Sequence, residues 1–256
     1  ANGGTHPSTV RAPMLGSDSD EALGLLADMV LRPRMDALSI EPARALCVSS
    51  IEALADEPQE RVMVNLRQAH APSPLNRSSH GTLEGVRAVT ADEAVPRWRE
   101  RATPGGSIIA LAGDVDADAV GARLNTLLAG WTGSAAPIET GAEPERGYVH
   151  EQDKTDQVHI GVAYDGPRET DEDSAWLERM ATAVLSGGMS GRLFTEVREK
   201  RSLCYSVWAS FGADREYGRT VAYAGTTPER AQETLDVMMG ELRRIGRGDG
   251  AITSEE

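Results

Sequence analysis

Between residues 18 and 31 the apolar side chains of Ala22, Leu25, Leu26, Met29 and Val30 recur at helical spacing, with acidic residues in the first turn and Pro33 just beyond. That spacing predicts an amphipathic helix ending before the proline. Two more helices are predicted over 40–55 and 59–70, divided by the break at Pro58. Residues 71–81 are rich in Pro, Ser and Asn without a period and read as loop, followed by a helix over 91–101. Over 107–113, Ile108, Ile109, Ala110 and Leu111 make a short unbroken apolar run, the pattern of a strand buried on both faces. Asp116 then caps a predicted helix whose apolar stripe is Val120, Leu124, Leu127, Leu128 and Trp131.

Residues 132–146 combine Gly, Ser, Ala, Pro and Glu without periodicity and read as an interdomain linker. Beyond it Val158, Ile160, Val162 and Tyr164 alternate with smaller or polar residues, which predicts a strand with one buried face. Helices are predicted over 176–185 and 190–200, and strands over 203–211 and 219–224. Thr227 and Pro228 form a helix start ahead of the stripe Ala231, Leu235, Met238, Met239 and Leu242. Each half thus carries strands and packed helices with hairpin-like neighbours, an α+β architecture. The organisation expected is a first domain over 1–135, a linker over 136–148 and a second domain over 149–256.

Composition narrows the function. The chain is 40% hydrophobic and 26% charged, and no apolar run nears the roughly 18 residues of a membrane span. A net charge of -14 excludes a phosphate-binding surface, so nucleic acid is not an expected partner, whereas basic or neutral peptides are. Lys154 and Lys200 are the only lysines, an Arg bias that reads as the codon usage of a GC-rich genome. Cys47 and Cys204 are too few for a disulfide framework or a metal cluster, which leaves bacterial periplasm and cytoplasm both open. The chain opens at Ala1 without an initiator Met or a leader pattern, so its start reads as cut. Gly187, Gly188 and Gly191 are not followed by the G-K-[ST] of a phosphate loop, and a tight helix-to-helix turn explains them better.

Two runs go beyond pattern. In the first half, A-L-G-L-L-A-D-M-V-L-R-P-R-M, D-E-P-Q-E-R-V, and G-T-L-E-G-V-R-A-V-T with the later S-I-I-A-L-A-G-D-V-D stand in order. In the second, residues 185–207 contain S-G-G-M-S-G-R-L-F-T-E-V-R-E-K-R-S-L-C-Y-S-V, a Gly-rich turn, a helix and R-x-x-x-x-x-x-Y. Together they resemble the M16 peptidases, the group of pitrilysin, insulin-degrading enzyme and the mitochondrial processing peptidase. The resemblance implies two homologous α+β domains, with zinc held by an H-x-x-E-H helix and a downstream Glu.

That zinc motif is missing here. His6, His70, His80, His150 and His159 never form H-x-x-E-H, and the family's motif helix would precede Ala1, because A-N-G-G-T-H-P-S-T looks like the strand after it. Registering on Ile51 and D-E-P-Q-E-R-V puts the expected zinc-binding Glu at Ser50 and its supporting Glu at Ala43. Glu52 lies about 200° around the helix from Ser50, on another face. No zinc is therefore expected in this chain, only in a catalytic partner. The resemblance assigns Arg198 and Tyr205 to transition-state stabilisation at a partner's site, and sets Gly187, Gly188 and Ser190 near the peptide path. Without the family, Arg198 reads as a snorkelling helix residue and Tyr205 as an inward strand aromatic; Cys204 points to the opposite strand face as a small core residue.

The function this implies is a non-catalytic M16 protein that binds extended peptide and completes the zinc site of a partner subunit or another copy. The alternative is an assembly scaffold with the M16 fold and no peptide chemistry, as in the core subunits of respiratory complex III. Hydrolysis by Ser190 or Ser50 lacks a G-x-S-x-G elbow. The pattern at 252–256 stops where the family begins further helical structure.

Overall fold

The computed structural model describes residues 9–137, 139–246 and 250–253. His6 and all but Thr9 of the strand expected over 1–9 lie outside them. The helices are α1 (Ser19–Leu31), α2 (Ala37–Leu54), α3 (Pro58–His70), α4 (Leu83–Ala88), α5 (Ala91–Arg101), α6 (Ala117–Leu127), α7 (Glu172–Ser186) and α8 (Ala231–Arg244). The strands are β1 (Val158–Gly166), β2 (Cys204–Ala213) and β3 (Gly218–Thr226). They fall into two compact units: α1, α2 and α4 to α6 make one, while α3, the three strands, α7 and α8 make the other.

The first unit is helical among its described residues. Asp116 caps α6 by accepting from the amides of Asp118 and Ala119, both at 3.0 Å. Thr90 and Glu93 form a capping box at the head of α5. Two tryptophans tie connections to helices: Trp98 Nε1 donates to the Val30 carbonyl at 2.8 Å and Trp131 Nε1 to Ala102 at 2.6 Å. The expected α1 stripe is displaced, because apolar residues surround that helix and its period does not single out one face. Leu23 and Ala27 are buried, whereas Leu25 and Met29 are exposed. Helix α4 was hidden in a stretch without apolar periodicity, although its Thr82 cap accepts from Gly85 at 3.1 Å.

The strand expected over 107–113 does not form. Ile108 is 92% exposed and Ile109 exposed. An apolar run of this kind requires a sheet on either side, and no strand flanks it among the described residues.

The second unit is built on an antiparallel sheet of order β1-β3-β2. Alternation sends Ile160, Val162, Ala222, Ala224, Cys204 and Ala209 to one face. There they meet Leu185 of α7, Leu193, Val197 and Met238 of α8 in one continuous core. On the other face α3 covers β1: a side chain at Gly161 would come within 3.1 Å of Val62 and 3.2 Å of Leu66. The helix expected over 190–200 is an α-helical start that widens into a π turn at Phe194–Glu199, with the Lys200 amide donating to the Thr195 carbonyl. At the far end of α3, His70 is buried against Tyr217 and lies 3.5 Å from Asp165. Among the described residues no helix is long and apolar enough to cross a membrane.

Candidate functional site

The connection from the π turn into β2 is short and bonded twice to itself. The Ser202 amide donates to the Arg198 carbonyl at 2.9 Å and the Leu203 amide to Val197 at 3.0 Å, with Ser202 in the left-handed region at φ 52. This folds Arg198 back beside the start of β2, where its charge is felt at the Cys204 thiol. Burial dominates there, however, and pushes that thiol up, so Cys204 is an inert core group as its sequence position predicted.

Tyr205 sits in a β-bulge. Cys204 faces Thr226 and Ser206 faces Gly225, leaving Tyr205 as the extra residue. The bulge turns its ring outward, 46% exposed, so the reading of an inward strand aromatic does not hold. The ring lies across β3 over Gly225, where an added Cβ would fall 2.6 Å from the Tyr205 oxygen. The phenol donates to Gln157 Oε1 at 2.8 Å. Burial raises the phenol's pKa, so it is a neutral donor at physiological pH. Behind it Tyr223 is buried, stacked on Trp208 and hydrogen-bonded to His159 Nδ1 at 2.7 Å.

Arg198 is exposed, with its guanidinium carbon 4.8 Å from the centre of the Phe194 ring. The nearby carboxylate, Glu196, is taken by Lys200 at 2.6 Å and Arg201 at 2.7 Å, which hold it below the usual carboxylate range. Among the described residues no carboxylate pairs with Arg198. Arg198 thus presents a guanidinium that no described carboxylate pairs with, and Tyr205 presents a neutral phenol; each is a donor suited to an electron-rich carbonyl oxygen.

The glycine-rich turn is shaped by close backbone approach. A side chain at Gly187 would lie 2.5 Å from the Ala183 carbonyl and one at Gly191 2.9 Å from that of Leu185, and Gly188 has φ 155. Ser190 lines a shallow pocket of about 360 Å³ with Thr195, Arg244 and buried Arg192. Arg192 donates to the carbonyls of Gly250 at 2.7 Å and Ala251 at 3.2 Å. Sequence spacing gave no sign that this arginine is a buried anchor.

The zinc ligands implied by the resemblance do not fit. Ser50 and Ala43 are exposed on α2, and the Ser50 hydroxyl donates to its own helix at Leu46, 2.9 Å away. Glu52 pairs with Arg87 at 3.0 Å. A hydroxyl turned into its helix and a methyl offer no carboxylate to a metal. The described histidines are scattered: His70 and His159 are in the second unit's packing, His80 is exposed and His150 stacks on Tyr148. Among the described residues no group of three or more His, Cys, Asp or Glu converges.

Residues 89–256 match the family described as the peptidase M16 inactive domain. An uncharacterized zinc protease of Mycobacterium tuberculosis is 30% identical over 257 residues, covering 95% of this chain and 57% of that protein. The crystal structure of a peptidase M16 inactive domain from Pseudomonas fluorescens superposes with a TM-score of 0.83 at 25% identity, over 94% of this chain and 59% of that one. A chain of complex III from Candida albicans shares the fold at a TM-score of 0.75 and 15% identity, over 94% of this chain and 60% of that one. The chain thus spans under two-thirds of the length of these proteins. With its mixed helical and antiparallel-sheet fold and its match over 89–256, the chain belongs to the peptidase M16 family.

Proposed function

We propose that this chain is a non-catalytic M16 protein that holds peptide in extended form and lends Arg198 and Tyr205 to the zinc endopeptidase site of a partner, either a catalytic M16 subunit or another copy. The observation that supports the reading is that Arg198 is exposed with no described carboxylate paired to it, while Tyr205 is turned outward by the bulge as a neutral phenol donor. Neither group is a nucleophile or a metal ligand set. Ser50 and Ala43 stand where carboxylates would be needed, so zinc belongs to the partner. Gly187, Gly188 and Ser190 border the same segment and line the peptide's approach.

In this mechanism the scissile carbonyl displaces Gln157 as the acceptor of the Tyr205 proton, while Arg198 swings from the Phe194 ring toward the developing oxyanion. Both contacts strengthen as negative charge grows on the oxygen, so they act on turnover more than on ground-state binding. Mixing the chain with an H-x-x-E-H homologue tests this. The mixture is expected to cleave peptides that the chain alone leaves intact. Arg198→Ala and Tyr205→Phe should each lower kcat by about 100-fold or more, with little change in KM. Unchanged turnover for both variants would overturn the Arg/Tyr role and favour a scaffold.

A further inference from the structure

Behind Tyr205 lie Tyr223 and His159, titratable groups that the proposed mechanism leaves without a role. Tyr223 is 1% exposed, and its hydroxyl lies 2.7 Å from His159 Nδ1. Its ring stacks on both Trp208 and His159, and phenylalanine would fill the same space with no polar atom to satisfy. A hydroxyl kept at that depth is unfavourable unless it is bonded on both its donor and acceptor sides.

Register brings these groups to the bulge. His159 of β1 and Ser206 of β2 both face Gly225 of β3. Because Gly225 has no side chain, the Tyr205 phenol can lie over it and reach the Tyr223 hydroxyl, to which it is hydrogen-bonded. The direction of donation follows from the two ends. Tyr205 gives its single proton to Gln157 Oε1, so from Tyr223 it can only accept. Such a bond favours the phenolate form of Tyr205 and lowers that phenol's pKa against the burial that raises it. Tyr223 has then spent its own proton and must accept from His159. His159 Nε2 is buried with no hydrogen-bond partner among the described residues. The proton of the neutral imidazole belongs on the nitrogen that has an acceptor, here Nδ1.

We infer that His159 and Tyr223 are positioning residues for Tyr205, a one-way chain of hydrogen bonds that aims its proton at the oxygen replacing Gln157. The inference rests on the reading of Tyr205 as a transition-state donor and adds the residues that hold it. Neither reaches the peptide; both act through Tyr205. Bonds in such a chain polarise one another. As negative charge grows on the carbonyl oxygen and is shared with the Tyr205 oxygen, the bond from Tyr223 tightens. The contribution therefore belongs to turnover more than to ground-state binding.

The test has one arm on the whole chain alone and one on its mixture with an H-x-x-E-H homologue. In the first, a fluorinated tyrosine replaces Tyr205 and its phenol is titrated by fluorine NMR. Tyr223→Phe removes the donor, so the phenol's pKa should rise. His159→Leu should raise it less, and His159→Asn, whose amide can donate from the Nδ1 position, should recover most of the difference. Nitrogen NMR should place the His159 proton on Nδ1. In the mixture, Tyr223→Phe and His159→Leu should each lower kcat by about two- to ten-fold at unchanged KM, the loss expected of one hydrogen bond. Neither should cost anything further in a Tyr205→Phe background.

If Tyr205→Phe itself leaves turnover unchanged, the donor reading fails and takes the inference with it. If Tyr205→Phe lowers turnover but Tyr223→Phe does not raise the phenol's pKa, only the chain of hydrogen bonds is overturned. A His159 proton found on Nε2, or a turnover loss from Tyr223→Phe that persists without the Tyr205 hydroxyl, would overturn it as well.

Discussion

The two units of the chain use their apolar residues in opposite ways. In the second, alternation along three paired strands delivers side chains to one face, and α7, α8 and the π turn close a core in which Leu185, Leu193, Val197 and Met238 are completely buried. In the first, α2 runs for 18 residues without one buried side chain, and Leu38, Leu46 and Ile108 are 79%, 71% and 92% exposed. Composition does not explain the contrast, since α2 is richer in apolar residues than α8. The difference is the sheet. Helical periodicity forms a helix locally, but only a second layer of structure makes its stripe a core.

The sharpest way to break this comparison is to remove side chains of equal size from both units. Leu193→Ala opens a void in packed surroundings and should cost about 2 to 5 kcal/mol, read as a lower urea midpoint at unchanged slope. Leu46→Ala removes the same atoms from an exposed surface and should change stability by no more than about 0.5 kcal/mol. Equal costs would mean that α2 is covered in solution, which would end the contrast.

Glycines sharpen it at smaller scale. Gly225→Ala sets a methyl against the Tyr205 ring and is expected to destabilise the second unit by about 1 to 3 kcal/mol. That penalty should largely vanish in a Tyr205→Ala background, which a double-mutant cycle measures. Gly24, in the middle of α1, has no atom within 4 Å of an added Cβ. There the same substitution should stabilise by up to about 1 kcal/mol, because alanine loses less entropy in a helix. A destabilising Gly24→Ala would show that the outer face of α1 is packed.

What was legible in the sequence follows from range. The helices around Leu26, Leu124 and Leu235 and the strand through Ile160 appeared because their periods are set by neighbours three to four, or two, residues away. The motif of Arg198 and Tyr205 was visible as spacing, and Cys204 was placed correctly as core. The bulge that turns Tyr205 outward was not visible, because it depends on register against Gly225, twenty residues along the chain. Nor was Ile108 as an exposed residue, since an apolar run looks the same whether or not strands flank it. The partnering of His70 and Arg192 is likewise decided by tertiary neighbours that leave no local pattern.

The smallest expected effect concerns His70, which belongs to the buried side of the comparison. It faces Tyr217 and Asp165, with Arg146 and Arg219 nearby; burial lowers its pKa, the arginines add to the lowering and Asp165 opposes it. A histidine whose folded pKa lies below its unfolded value of 6.5 binds its proton more readily when unfolded. Its contribution to stability is therefore full above pH 6.5 and is lost as the pH falls from there through the folded pKa. His159, also lowered by burial, acts in the same direction. Thermal unfolding of His70→Gln across this window should fall less steeply with acid than that of the wild type, while His80→Gln, at an exposed histidine in the first unit, should follow the wild-type slope. Parallel slopes for His70→Gln and the wild type would mean that His70 is open to solvent, and that the core of the second unit ends before it reaches the end of α3.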